Sequence, residues 1–140
     1  MLILGFVVCN WFNKMTRDQA IEQLKFHSGR HPDVDNIQWE KGFLPSLRPY
    51  KGLNRNSFDN LIECLNVLKD EIKEAEFIER ELILDLWTIC HYSKAWGTNP
   101  EGMIRSNNLI SEDDLKQLEN WINEISYKVS FWLEGIEDDN

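Results

Sequence analysis

The residues best suited to chemistry in this chain of 140 residues are its three histidines and three cysteines. His27 and His31 are four positions apart, so on a continuous helix both imidazoles would lie on one face and could share a metal ion. Gly29 and Pro32 oppose a continuous helix at that point. We therefore expect two loop histidines and no metal site.

Cys90 and His91 are adjacent, as if they formed a cysteine–histidine catalytic pair. Neighbouring residues on a helix point about 100° apart, however, and do not face each other. We expect His91 to be a buried or half-buried imidazole bonded to a neighbour. Cys9, Cys64 and Cys90 lack C-x-x-C spacing, and the last two fall in apolar helical patterns, so we interpret them as reduced structural thiols.

Motifs of the common enzyme classes are missing from the sequence. It contains no G-x-S-x-G, no H-E-x-x-H and no glycine-rich phosphate loop ending in Gly-Lys-Ser/Thr. The three histidines each have a structural explanation, so few side chains remain to act as a general acid or base. We expect a protein without catalytic activity and without a cofactor; a small enzyme that uses His91 is the third of our three hypotheses.

The most pronounced charged stretch is DEIKEAEFIERE, residues 70–81, here called the acidic turn. Its carboxylates belong to Asp70, Glu71, Glu74, Glu76, Glu79 and Glu81. Such a run is most often a solvated face that keeps a protein soluble. The alternative is a docking patch for a cationic partner, and the acidic turn is the best candidate in the chain for partner binding.

The net charge of −9 is unevenly distributed along the chain. Residues 57–85 hold nine acids against three bases and residues 111–140 hold nine against two, whereas residues 16–55 hold five acids against seven bases. Affinity for nucleic acid comes largely from Lys and Arg, so we expect no nucleic-acid partner. Two acidic blocks favour a basic protein surface instead.

A basic loop lies in the middle of the chain, at LRPYKGL, residues 47–53. It carries Arg48 and Lys51, with Arg55 just beyond, beside aromatic groups. Two interpretations are open. The loop binds an anion or a partner's acids, or it is an ordered surface loop in which Arg48 pairs with the chain's own carboxylates.

Helical periodicity predicts a single all-α domain with four principal helices, at about residues 16–27, 57–74, 78–95 and 112–133. The third is apolar on nearly every side between Leu82 and Cys90, which predicts a buried central helix that the others surround. Capping boxes at Thr16 and Ser111 mark two helix starts. Residues 136–140, IEDDN, are expected to form a frayed acidic tail.

The first fourteen residues, MLILGFVVCNWFNK, are apolar but too short for a membrane span, and they lack the leading positive charge of a signal peptide. Two interpretations are open: a strand or helix that packs on the domain, or sequence upstream of a natural start at Met15. The intact mass of protein made from its native locus distinguishes them, because a product beginning at Met1 eliminates the second. We expect no membrane partner and a cytoplasmic location.

Four stretches of the chain form a recognisable set: LRPYKGL (47–53), LWTICHYSKAW (86–96), NNLISEDDL (107–115) and LENWI (118–122). Together they resemble a family of small bacterial immunity proteins, the all-helical antidotes of contact-dependent growth inhibition that are paired with nuclease toxins, including an RNase A-like type. The similarity covers roughly residues 15–133. It implies a protein that binds a toxin domain and occludes its active site, with no catalysis of its own.

Charge and resemblance together lead to one expected function. We expect an immunity protein that neutralises a cognate, basic nuclease toxin by direct binding, with the six carboxylates of the acidic turn as the partner-binding residues. A helical regulatory or scaffold module that binds another protein is the alternative.

Overall fold

The computed structural model describes residues 14–138, and this part of the chain folds into helices without any strand, which confirms the all-α prediction. The helices are α1 (Arg17–Ser28), α2 (Phe43–Leu47), α3 (Arg55–Glu74), α4 (Arg80–Ser93), α5 (Met103–Ser106) and α6 (Glu112–Leu133), with a 3₁₀ turn at Ile37–Lys41 and a π-helical turn at Lys94–Thr98. The alternatives for residues 1–14 fall almost wholly outside the described residues.

Helix ends follow the local chemistry of the sequence. At the start of α1 the Thr16 hydroxyl accepts from the Gln19 N–H at 3.2 Å and the Gln19 side chain accepts from the Thr16 N–H at 2.9 Å, which completes the predicted capping box. Gly29, with φ 71°, ends the helix in the left-handed conformation that glycine tolerates. α3 begins earlier than predicted because Asn54 caps it, accepting from the Ser57 N–H at 3.1 Å.

The four long helices form a bundle in which each packs against two of the others. α1 and α6 each contact both α3 and α4, so α3 and α4, although consecutive in the chain, occupy opposite corners. The buried apolar side chains form one cluster at the centre of this arrangement. Its fully buried members include Leu24, Leu61, Leu65, Leu68, Leu86, Ile89, Leu118, Ile125 and Trp132.

The prediction that the third helix is buried on all sides is wrong. α4 buries one face, with Leu82, Leu86 and Ile89, but Trp87 is 51% exposed and His91 is also exposed. The exposed residues recur at helical spacing and form a stripe that no other described helix covers. A corner position in a four-helix bundle leaves such a stripe in contact with water, whatever its side chains.

Asp85 on α4 is a buried carboxylate whose charge is balanced from the end of α1. It accepts from Lys25 Nζ at 3.1 Å, from Arg30 Nη1 at 2.6 Å and from the Ser28 hydroxyl at 3.0 Å. A buried ionised carboxylate is tolerated only when it is paired and hydrogen-bonded in this way. The network therefore fixes the end of α1 against the middle of α4.

The predicted frayed tail is instead packed against the bundle as far as it is described. Asp138 is buried and accepts from the Trp132 indole at 2.8 Å and from Lys128 Nζ at 2.9 Å. The bond from Lys128, strengthened by the indole bond, lowers the pKa of Asp138 to about 2. Glu137 pairs with Lys69 and with Lys73 on α3. Glu137 and Asp138, whose charges contributed to the prediction of a solvated tail, form ion pairs with lysines of the bundle.

We predict that Asp85→Ala lowers the free energy of unfolding by roughly 2–3 kcal/mol at pH 7, because it leaves Lys25 and Arg30 without their buried counter-charge. Asp85→Asn, which keeps an acceptor for Ser28 but no charge, should fall between this variant and the wild type. Chemical denaturation measures both, with the exposed Glu124→Ala as control. Equal stability of Asp85→Ala and the control would contradict a structural role for the network.

Candidate functional site

The six predicted partner-binding residues lie together, on the last turn of α3, the connecting loop and the first turn of α4. Their proximity follows from the shortness of the loop, which runs from Ala75 to Glu79. The structure divides them by their surroundings into two groups of three. One group is engaged in ion pairs within the protein, and the other is not.

Arg17 at the start of α1 pairs with an acid on each side of the loop. Its guanidinium donates to both oxygens of Glu71, at 2.5 and 3.0 Å, and its Nη2 also reaches Glu79 at 3.3 Å. The hydrogen bond from Arg17 lowers the pKa of Glu71 below its ordinary value. One cation thus joins the end of α3, the start of α4 and α1.

Glu81 belongs to the Asp85 network. It accepts from Arg30 Nη2 at 2.9 Å and from Lys25 Nζ at 3.4 Å, and the bond from Arg30 is the main cause that lowers its pKa. Glu71, Glu79 and Glu81 are therefore compensated by the chain's own cations. Three of the six predicted binding residues have a structural role in the free protein.

The remaining three acids, Asp70, Glu74 and Glu76, are exposed, and no Lys or Arg of residues 14–138 forms an ion pair with them. Between them and Glu79 lies Phe77, whose side chain is 86% exposed. Sequence analysis missed Phe77 because it treated residues 70–81 as a run of charge. A large apolar residue inside an acidic loop was the signal that could have found it.

His91 is neither buried nor hydrogen-bonded within the described chain, so the expectation for it is wrong. Its ring stacks on Trp87, with centroids 4.5 Å apart and planes 8° from parallel. The adjoining groove, of about 540 Å³, is lined by Trp87, Cys90, His91, Lys94, Ala95, Thr98 and Asn99. It contains no carboxylate from residues 14–138 that could orient the imidazole as a general base.

Of the two other histidines, both predicted to be loop residues, His31 lies in the loop after α1 as expected, whereas the prediction for His27 is wrong. His27 lies in the last turn of α1, buried, where Nε2 donates to Asn60 Oδ1 at 2.7 Å and Nδ1 accepts from the Phe43 N–H at 3.0 Å. Burial lowers its pKa to about 4, so the ring is neutral at pH 7. His31 follows the helix and stacks on Phe26 at 3.8 Å. Within residues 14–138 no three ligating side chains converge as a metal site would require.

The cysteines within the described range have the surroundings of structural thiols. Cys64 is fully buried in α3, and desolvation raises its pKa to about 12. Cys90 is half-buried, and burial raises its pKa as well. Both thiols therefore stay protonated at neutral pH, which disfavours them as nucleophiles.

Arg48 in the basic loop lies beside an aromatic ring, whereas one interpretation of the sequence paired it with a carboxylate. The Arg48 guanidinium lies 5.2 Å from the centroid of the Trp96 ring, and it forms no ion pair with a carboxylate of the described chain. Among residues 14–138, therefore, the predicted pairing of Arg48 with the chain's own acids is not found. Arg55 approaches Asp59 at 3.9 Å, one helical turn away. A pair of exposed groups at this distance contributes little stability.

We predict that burial of neutral His27 makes stability depend on pH. Its folded-state pKa of about 4 lies below the ordinary 6.5, so its contribution to stability is complete above pH 6.5 and is lost as the pH falls towards 4. Between pH 7 and 4 the wild type should lose up to about 3 kcal/mol more unfolding free energy than His27→Gln. Denaturation at a series of pH values measures this difference.

Exposed His91 supplies the control for that experiment. His91→Gln should follow the wild-type curve throughout, because its imidazole is exposed and, within residues 14–138, has aromatic contacts but no hydrogen bond. Parallel curves for the wild type and His27→Gln would show that the buried imidazole is not the titrating group.

Comparisons with protein-family models, with curated proteins and with solved structures find no match to this chain. No helix in residues 14–138 is long and apolar enough to cross a membrane.

Proposed function

We propose that this chain is an immunity protein that binds and blocks a cognate toxin, a basic nuclease domain of a contact-dependent inhibition system. The observation that carries the proposal is the set of three exposed carboxylates, Asp70, Glu74 and Glu76, which have no cationic partner in residues 14–138. Like charges gathered at one place on a surface speed encounter with a surface of opposite sign.

The local structure of the acidic turn supports a role in binding. Asp70 and Glu74 lie on helix α3, and Arg17 pairs with Glu71 and Glu79 on the two sides of Glu76, so the exposed acids stand on an ordered backbone. A binding surface that is ordered beforehand loses less conformational entropy on association. Inhibition would follow because the carboxylates occupy positions where the nuclease binds the phosphates of its substrate, while the helical body blocks access.

The alternative, a regulatory or scaffold module, draws on a different surface. An apolar groove of about 500 Å³ runs between α4 and α6, with the exposed residues Trp87, Tyr127 and Leu133 on its margins. Apolar grooves between helices suit the helix or extended segment of another protein. The two hypotheses therefore assign partner binding to different faces, and variants of each face discriminate between them.

We predict that the triple variant Asp70→Lys, Glu74→Lys, Glu76→Lys binds the toxin domain about 10- to 1000-fold more weakly at low salt, mainly through slower association. The proposal requires a neighbouring gene that encodes a large secreted protein, and the C-terminal domain of that protein is the binding partner for the test. The loss should shrink at high ionic strength, since salt screens exposed charges. Stopped-flow and equilibrium titration give the rate and the affinity.

A matched variant separates local binding from net charge. Glu119, Glu124 and Glu134 on or beside α6 are also exposed, and Glu119→Lys, Glu124→Lys, Glu134→Lys makes the same change in total charge. Its affinity should stay close to that of the wild type. If both triple variants bind like the wild type, the acidic turn is not the binding surface.

A further inference from the structure

Phe77 is the most exposed of the large apolar side chains in residues 14–138, with 86% of its surface open to solvent. Single exposed apolar groups are ordinary on protein surfaces. Phe77 differs in its position, at the tip of a short loop and with Glu76 directly before it and Glu79 two residues after it. An aromatic ring is thereby placed among carboxylates and away from the apolar core.

The loop presents this ring from a fixed backbone. Ile78, the next residue, is half-buried against the core, and the Ala75 N–H donates to the Glu71 carbonyl at 3.1 Å at the end of α3. Arg17 joins Glu71 to Glu79 across the loop. The backbone on both sides of Phe77 is therefore held, while the phenyl ring has no comparable burial of its own.

An aromatic ring beside negative charges resembles a nucleotide, in which a flat base lies near a charged phosphate, and so presents the two features of single-stranded nucleic acid that proteins bind. Such proteins use a cationic groove for the phosphates and a stacking surface for the bases. A phenyl ring can occupy a stacking surface because stacking tolerates any flat π-system, and a carboxylate can accept the hydrogen bonds that Lys and Arg donate to phosphate.

We propose, resting on the proposed function, that the loop acts as a mimic of a nucleotide. The ring of Phe77 occupies the base-binding subsite of the nuclease cleft, and the carboxylates of Glu74 and Glu76 take the place of neighbouring phosphates. The partner is accordingly a nuclease domain with an aromatic or flat apolar base subsite next to Lys and Arg. A cationic protein without such a subsite would be bound more weakly.

Substitutions at position 77 test the proposal directly, with the same C-terminal domain of the secreted protein as the binding partner. Phe77→Ala should raise the dissociation constant about 10-fold or more, as removal of one stacking ring does in nucleic-acid complexes. Phe77→Leu, which is apolar but not aromatic, should lose nearly as much. Phe77→Trp should bind within about threefold of the wild type, since indole also stacks.

Two controls accompany these variants. Ile37→Ala removes another exposed apolar side chain, 69% exposed in the 3₁₀ turn, and should leave the affinity unchanged. Thermal unfolding of every variant should match the wild type, because Phe77 is exposed. In a second measurement, adenosine and uridine monophosphates are added to the toxin domain alone and to its complex with the wild-type chain; the complex should exclude the nucleotides that the free domain binds.

The outcomes separate this inference from the proposed function. If the wild-type chain forms no complex with the toxin domain, the proposed function itself fails. If a complex forms but Phe77→Ala or Phe77→Leu binds like the wild type, or if mononucleotides still bind to the complex, the proposed function stands and the nucleotide mimic is overturned.

Discussion

The buried carboxylate of Asp85 is the constraint on which this fold depends most. A negative charge inside a helical bundle requires cations, and the end of α1 supplies them through Lys25 and Arg30. At its other end the same helix places Arg17 between α3 and α4. α1 therefore neutralises acids at both of its ends and sets the position of the acidic turn relative to the bundle.

Much of the fold could be predicted from the sequence because its causes are local. Apolar residues at helical spacing marked α3 and α6, and the Thr16–Gln19 box and Gly29 marked the ends of α1. These signals lie within a few residues of the feature they indicate. The position of the acidic turn between two long helices followed from the same patterns.

Whether each acid of the turn forms an ion pair within the protein could not be predicted, because the cation that pairs with it is distant in the chain. Arg17 and Glu71 are 54 residues apart, and Arg30 and Asp85 are 55 apart. Local charge counting treats all six acids of the turn alike, whereas the bundle compensates three of them. The stripe of α4 that contains Trp87 and His91 was mispredicted for a related reason, since exposure depends on which corner of the bundle a helix occupies.

Some acids of the turn form ion pairs within the protein and others do not, and this difference affects how the surface can change over evolutionary time. Arg17, Glu71 and Glu79 maintain the shape of the loop, whereas Asp70, Glu74, Glu76 and Phe77 are exposed and contribute little to folding. Substitutions at exposed positions without buried partners usually cost less than about 0.5 kcal/mol. A lineage that retains the Arg17 clamp can therefore vary these four exposed positions at little cost in stability, so the chemistry of this surface can change while the scaffold stays folded.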